Sequence, residues 1–341
     1  MGRGSVTSRA LTAAGRAASL ARRLDDALVA PGRPGSVVLV QVGLALVMAL
    51  RLLAHDWTLI ADRPAELTYR LWSFGWLPHL PPPVLVAVQV AGLLGVILVL
   101  ARRAPRLGFV LAWLSLLVLA GLWGASGKFQ HNDVLLLTAA FPVLFARVPA
   151  GGYRRISPWP AAERRAVAWG WPPRAALVVI ACVYFLTGLQ KLRHSGLAWV
   201  FSDNMSWVLL QGAHSSPISS DLIRRVAETP VLPQLLAGGA LALELGAPLL
   251  LLWRPTRLVF AAAVTAMHLS IWACLGLDYS PWWLTVWVVT IATGVPTGWR
   301  AVRDRITLRR VADPRSALGR GAVPGRSPDA DDERATPAVP G

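Results

Sequence analysis

The sequence predicts an all-α fold: a polytopic membrane helix bundle with about eight transmembrane helices. Apolar residues make up 55% of the 341 positions, and the chain contains 16 tryptophans. Uncharged apolar runs of about 18 to 20 residues recur along it, which is the length that an α-helix needs to cross the hydrocarbon of a bilayer. Soluble domains do not combine these features, so we expect an integral membrane protein.

Eight apolar runs are the predicted spans. Most end at prolines, arginines or tryptophans, as membrane helices commonly do. Arg51 lies near enough to the far end of the first run to snorkel to the headgroups. The fourth run is short for a bilayer, and we expect it to begin within the polar segment before it. The approximate ranges are 36–54, 84–101, 107–124, 134–146, 175–191, 234–253, 258–277 and 282–296.

Three regions follow from these spans. Residues 1–35 are expected to form a basic cytoplasmic tail, and residues 36–297 the transmembrane domain. Residues 298–341 are first basic and then, beyond about Asp313, composed of Pro, Gly, Ala and charged residues. That composition predicts a disordered tail. The long connection 193–233 is predicted to hold a short amphipathic helix around Asp221 to Ala227.

The formal net charge of +16 predicts an orientation in the membrane. The arginines lie in short segments beside apolar runs, without base-reading motifs, so we expect no nucleic acid partner. With both termini cytoplasmic, eight spans place 26 of the 32 arginines on the inside, as the positive-inside rule requires. The predicted location is the cell membrane, and the expected partner is membrane lipid.

Lys128 and Lys191 are the only lysines in the chain, and this topology places both at the outer face. A lysine can release its proton where burial disfavours its charge, and an arginine cannot. The two lysines are therefore candidates for proton transfer, although codon bias or snorkelling would give the same pattern. Lys191 shares a helical stripe with Tyr184 and Gly188, and the glycine allows another helix to approach. We therefore expect Lys191 to face the bundle.

Glu244 and His268 are ionisable residues inside predicted spans. Glu244 lies near the middle of its span, so it must be protonated or paired with Lys191, His268 or an arginine. Its role is either a structural bond between helices or the movement of a proton or binding of a substrate. His268 lies about a third of the way in from the outer end, where it is either a buried core residue or part of a cavity wall.

His131 follows Lys128 by three positions and shares a face with it if this segment is helical. Asn132 and Asp133 are predicted to cap the following helix. The two cysteines lie in separate apolar runs without metal-ligand spacing, so we predict no metal site and two small buried residues.

Several of these segments together resemble a known family. They are Tyr184-Phe-Leu-Thr-Gly-Leu-Gln-Lys-Leu192 with Trp199, Lys128-Phe-Gln-His131-Asn, Glu244-Leu-Gly-Ala-Pro with Arg254-Pro-Thr-Arg257, and Met267-His268-Leu with Gly276. Taken in their order along the chain, these segments are similar to the transmembrane domain of vitamin K-dependent gamma-carboxylase. The bacterial members are known as horizontally transferred transmembrane (HTTM) proteins. The resemblance covers about residues 36 to 297.

The resemblance implies roles for individual residues. Lys191 matches the lysine regarded as the base that deprotonates a reduced quinone, and His131 and His268 match histidines of the active centre. A reduced quinone is thus the cofactor implied. Gln190 stands where the carboxylase has a second lysine, and the carboxylase carries a large extramembrane domain where we expect a disordered tail. These departures favour a shared fold with an outward-facing, lipid-accessible polar site over gamma-carboxylation of a protein.

Three functions remain open at this point. The first is an enzyme acting on a lipid-soluble quinone or an exported peptide. Its catalytic residues are Lys191, His131 and His268, with Lys128, Glu244, Tyr184, Gly188 and Gln190 in supporting or binding roles. The second is a non-enzymatic membrane factor that helps to mature or export a secreted peptide. The third is a small-molecule transporter, which the absence of an internal repeat makes less favoured.

Overall fold

The computed structural model describes Ser19 and residues 30–64, 80–125, 131–147 and 167–294. These residues form helices and no β-strand, which confirms the all-α prediction. The terminal tails, apart from Ser19 and the residues next to the first and last helices, lie outside this part. The helices are α1 (Pro34–Ala54), α2 (Pro82–Leu100), α3 (Pro105–Gly124), α4 (Val134–Leu144), α5 (Val167–Ser195), α6 (Ala198–Phe201), α7 (Asn204–Gly212), α8 (Ser220–Glu228), α9 (Leu232–Leu252), α10 (Arg257–Leu275) and α11 (Ser280–Thr293).

Six of these helices, α1, α2, α3, α5, α9 and α10, are long and apolar enough to cross a membrane. Their lengths and composition fit the predicted integral membrane protein with several spans. The fourth and eighth predicted spans correspond to α4, with 11 residues, and α11, with 14. At 1.5 Å per residue these reach about 16 and 21 Å, less than the thickness of the hydrocarbon. By length alone the described helices support six spans, and the count of eight stays a prediction.

Two boundaries differ from the prediction for local reasons. Helix α4 begins at Val134, after the polar segment and not within it, because Asp133 is engaged elsewhere as described below. Helix α5 begins at Val167, eight residues earlier than expected, and continues through Pro172 and Pro173. Both prolines lie inside the helix, where each leaves one backbone carbonyl of the preceding turn without its amide donor.

Helix α1 is the centre of the bundle. In its most apolar stretch 56% of the residues are buried, whereas the other long helices bury between 22% and 39%. It packs against α2, α3, α4, α5 and α11. Its buried face, which includes Val40, Leu44, Met48 and Leu52, is therefore the core on which the other helices assemble.

Close helix pairs are made possible by glycines. Helices α2 and α3 form the most extensive pair, and a Cβ atom added to Gly95 would lie 2.6 Å from the carbonyl oxygen of Gly108. Helix α5 packs chiefly against α9, where Gly188 faces Glu244 and Leu245. Without side chains at these points the helix backbones approach closely, as small residues allow in membrane bundles.

Residues 196–231 join α5 to α9 and contain the short helices α6, α7 and α8; we call them the connecting cap. Helix α8 (Ser220–Glu228) confirms the predicted amphipathic helix, and the Ser219 side chain caps it by accepting from the Leu222 amide. Its apolar residues Ile223 and Ala227 pack against α7, which gives the cap a small core of its own.

The Gly95 contact predicts a loss of stability on Gly95→Ala. The added methyl group would meet backbone atoms that have no room to move, so α2 and α3 must separate at a cost of about 1 to 3 kcal/mol. Gly239→Ala is the matched control, because a Cβ atom there meets nothing within 4 Å and alanine favours the helix. Thermal unfolding in detergent should show a lower midpoint for the first variant alone. Equal midpoints would contradict this packing.

Candidate functional site

Lys191 and Glu244 form an ion pair between α5 and α9. The Lys191 Nζ atom donates to both carboxylate oxygens, at 2.6 Å from Oε1 and 2.8 Å from Oε2. The sequence left Lys191, His268 or an arginine as possible partners of Glu244, and in the structure the partner is Lys191. Gly188 allows this approach, because a Cβ atom there would already be 3.0 Å from that of Glu244. The prediction that Lys191 faces the bundle is confirmed.

The ion pair remains partly open on the lysine side. The Lys191 side chain is 22% exposed, against 7% for Glu244. Trp199 of the connecting cap covers part of it, with its ring centroid 5.1 Å from Nζ in a cation–π contact. Gln190, predicted as a supporting residue, is exposed and joins none of the hydrogen bonds described for this site.

A second buried contact lies beside this pair. The Tyr184 hydroxyl is 3.0 Å from Nε2 of His268, so the histidine of α10 is brought to the same helix face of α5 that carries Gly188 and Lys191. Both side chains are buried, and the edge of Phe260 packs against the Tyr184 ring. Tyr184 lies seven residues before Lys191 on the side of α5 where Gly188 faces Glu244, so the two contacts lie on one face of that helix.

Tyr279 extends this site to His131. Its ring stacks on His268 with centroids 5.2 Å apart, and its hydroxyl lies 3.1 Å from Nε2 of His131. Burial raises the pKa of Tyr279, so its phenol stays protonated. His131 is exposed and His268 is buried. The series His131, Tyr279, His268 and Tyr184, which we call the His–Tyr chain, therefore runs from the surface to the Lys191 region.

Trp282 closes the site from α11. Its ring packs edge-on against Tyr184 and Tyr279, at 5.4 and 5.9 Å between centroids, and it is 5.8 Å from His268. The Nε1 atom of Trp282 and the Nδ1 atom of His268 are buried and have no hydrogen-bond partner in the described part of the chain. Buried polar atoms normally have one. These two nitrogen atoms keep an unused hydrogen-bonding capacity within the described residues.

The sequence analysis missed a second ion pair, centred on Arg51. Its Nε and Nη2 atoms donate to the two carboxylate oxygens of Asp133, at 2.6 and 3.1 Å, and Nη1 lies 3.3 Å from Oδ2 of Asp278. Arg51 is only 3% exposed, so the expected snorkelling is wrong. A bidentate carboxylate close by stabilises the guanidinium better than a reach to the headgroups does.

This pairing also overturns the expected caps of α4. Asp133 occupies the N-cap position, but its side chain makes no capping bond because Arg51 holds the carboxylate. Asn132 instead donates to the backbone carbonyl of Asp278, at 2.8 Å. Both contacts tie the start of α4 to the loop before α11.

The Arg51 pair fixes the outer members of the His–Tyr chain. Asp133 follows His131 by two residues, and Asp278 directly precedes Tyr279. The side chain of Arg51 thus links the segments that carry both residues. Nearby, burial and then the charge of Arg51 lower the pKa of His55, whose ring packs against Trp57 and Trp123.

The remaining predicted positions add little to this site. Lys128 lies outside the described residues. The structure shows Cys182 exposed on the bundle surface and Cys274 half-buried, so the prediction of two buried cysteines is wrong for Cys182. Across the described ranges no three His, Cys, Asp or Glu side chains are grouped so that they hold a metal ion.

The Arg51 pair predicts strong coupling in a double-mutant cycle. Arg51→Met leaves the Asp133 carboxylate buried with no counter-ion and should cost about 3 to 5 kcal/mol. Arg51→Met with Asp133→Leu removes both charges and should recover most of that loss. Thermal unfolding in detergent, with exposed Arg193→Met as the control, measures both. Additive losses in the double variant would show that the pair contributes no coupling.

Comparisons of the chain with protein-family models, with curated proteins and with solved structures found no match. What the chain does has therefore to be inferred from the site itself. The informative features are the ion pair at the end of an apolar helix, the His–Tyr chain beside it, and two buried nitrogen atoms without partners.

Proposed function

We propose that this protein is a membrane enzyme of the HTTM type that removes a proton from a hydroxyl group of a lipid-soluble reduced quinone. The observation that carries the proposal is the Lys191–Glu244 ion pair, partly open on the lysine side and placed beside the unpaired nitrogen atoms of His268 and Trp282. The resemblance in sequence supports the substrate class. The geometry supports proton transfer.

The ion pair supplies both the base and the final acceptor of the proton. As Lys191 takes the proton of the substrate hydroxyl, it passes one of its own to Glu244, 2.6 Å away. The O–H bond breaks with its electron pair left on the substrate oxygen, Glu244 becomes a neutral carboxylic acid, and Lys191 remains an ammonium group. The substrate anion then replaces Glu244 as the counter-ion of Lys191. No uncompensated charge is created in the apolar site, where it would be costly.

Trp282 and the His–Tyr chain have separate roles in this scheme. The indole Nε1 atom of Trp282 donates a hydrogen bond to a substrate oxygen, and the Nδ1 atom of His268 binds a second polar atom of the substrate. Tyr279 stacks on His268 and lies within hydrogen-bond distance of the exposed His131, so these two outer residues hold the His268 ring in position. His131 and His268 thereby take the roles that the resemblance implies for them.

We place the site at the outer face of the cell membrane, with both termini in the cytoplasm and eight apolar helices in the bilayer. The distribution of arginines supports this orientation. The contact between Tyr279 and His131 supports it as well, because it joins two connections that eight spans assign to the same side. In this arrangement α4 and α11 cross the membrane inside the bundle, where other helices and not lipid contact most of their surface.

The connecting cap supports a second candidate, a non-enzymatic factor that binds a secreted peptide. It exposes the large apolar side chains Phe201, Trp207 and Ile218, and its Trp199 contacts Lys191. A peptide bound there would contact Lys191 without any proton leaving it. The two candidates differ in whether the lysine has to exchange a proton.

The proposal predicts that proteoliposomes containing the protein accelerate the oxidation of a reduced menaquinone analogue by dissolved oxygen. The quinol is oxidised to quinone and oxygen is reduced to hydrogen peroxide, both of which can be measured. Lys191→Arg keeps the charge but cannot act as a base, and Glu244→Gln removes the acceptor. Each should lower the rate by about a hundredfold or more.

Arg193→Gln is the control, because Arg193 follows Lys191 by two residues on the opposite side of α5, is exposed and makes no described contact with the site. Its rate should equal that of the unaltered protein. A rate unchanged in Lys191→Arg would contradict base catalysis. An unaltered protein that does not accelerate the oxidation would favour the peptide-binding candidate.

A further inference from the structure

Three arginines meet at the end of the bundle opposite to Lys191. Helices α5 and α9 are antiparallel, because Gly188 faces Glu244 while Val200, further along the chain, lies beside the earlier Gly238. Arg174 precedes Gly188 by 14 residues, or about 21 Å of helix. Because α9 runs the other way, the residues that follow Glu244 approach this same end of the bundle. Helix α9 ends there at Leu252, and the turn that carries Arg254 and the start of α10 at Arg257 follow it.

Two of these arginines are fixed in place by backbone carbonyl groups. Arg257 is buried and donates from Nε to the Leu251 oxygen, at 2.6 Å, and from Nη2 to the Leu252 oxygen, at 3.4 Å. It thereby satisfies the free carbonyls at the end of α9. Arg174 donates from Nη1 to the carbonyl oxygen of Ala30. Each guanidinium has five N–H groups, so both retain donors after these contacts.

Arg254 completes the group and is exposed. It begins the turn between α9 and α10, three residues before Arg257, and both lie near enough to Arg174 for their charges to interact. Within the described ranges the ion pairs are those of Arg51 and Lys191, so no carboxylate there neutralises this group. Three like charges held together repel one another, and an anion between them would remove that cost.

The position of the group indicates which anion is available. Trp253 directly precedes Arg254 and is 65% exposed, as expected for a tryptophan at the level of the lipid headgroups. Guanidinium groups bind phosphate oxygens through two parallel hydrogen bonds. Basic pockets between membrane helices are a known form of binding site for acidic headgroups.

We propose that Arg174, Arg254 and Arg257 form a binding site for a phosphate group, supplied in the membrane by the headgroup of an anionic phospholipid. Arg174 and Arg257 present fixed donors, and Arg254 closes over the phosphate from the exposed side. The site is independent of the chemistry proposed for Lys191, since it lies at the other end of α5 and uses none of the same side chains.

The test measures thermal unfolding of the purified full-length protein in a neutral detergent. Phosphatidylglycerol is titrated in, with phosphatidylcholine as the zwitterionic comparison, and inorganic phosphate is compared with chloride at equal ionic strength. The variant is Arg254→Gln, which removes an exposed donor without disturbing the carbonyl contacts of the other two. Arg224→Gln, an exposed arginine of the connecting cap, is the matched control.

We expect phosphatidylglycerol to raise the unfolding midpoint and phosphatidylcholine to leave it unchanged. In Arg254→Gln the lipid concentration for half of the shift should rise about tenfold, as the loss of a charged hydrogen bond implies. Arg224→Gln should behave as the unaltered protein. Retained phosphatidylglycerol, counted by native mass spectrometry, should fall only in Arg254→Gln.

Two outcomes would overturn the proposal. An equal response to phosphatidylglycerol in Arg254→Gln and Arg224→Gln would show that the lipid acts by general charge and not at this site. The absence of a shift by any phosphate compound would show that no site exists. An equal shift by inorganic phosphate, lost in Arg254→Gln, would keep the phosphate site but overturn the lipid as its source.

Discussion

The structure depends on one constraint: a charged side chain placed among apolar helices needs an opposite charge or hydrogen-bond partners close to it. Two pairs meet this requirement, Arg51 with Asp133 and Lys191 with Glu244. Each joins residues far apart in the sequence, 82 and 53 positions, so each fixes how distant helices lie against one another. Apolar packing brings the helices together with little directional preference. The ion pairs select one arrangement among those that packing allows.

The two pairs are connected through the residues between them. Arg51 holds Asp133 and Asp278, whose neighbours His131 and Tyr279 are in contact with each other. Tyr279 stacks on His268, and His268 contacts Tyr184 on the helix that carries Lys191. A continuous series of side-chain contacts therefore links Arg51 to the helix that carries Lys191. This connection explains how two histidines that are 137 positions apart in the sequence belong to one site.

The sequence predicted the helices and most of the site because both depend on local signals. Apolar run lengths located every helix of the bundle, and the spacing of Tyr184, Gly188 and Lys191 showed which side of α5 faces inward. The partners of charged residues were harder to predict. Arg51 lies at the end of a helix, where snorkelling is the usual expectation. Its partner Asp133 is distant in the sequence and comes close only when the chain folds. Tyr279 and Trp282 were missed because they carry no motif and gain their importance from position.

The difference between the two ion pairs explains why only one of them suits chemistry. The side chains of Arg51 and Asp133 are 4% and 9% exposed, and arginine keeps its proton under all conditions relevant to proteins. The Arg51–Asp133 pair can therefore stabilise the fold but cannot transfer a proton. Lys191 is 22% exposed, is covered by a single tryptophan of the connecting cap, and can exchange its proton with the carboxylate that binds it. Arg51 holds α1, the start of α4 and the loop before α11 together, and none of these contacts involves the charges of the Lys191 pair.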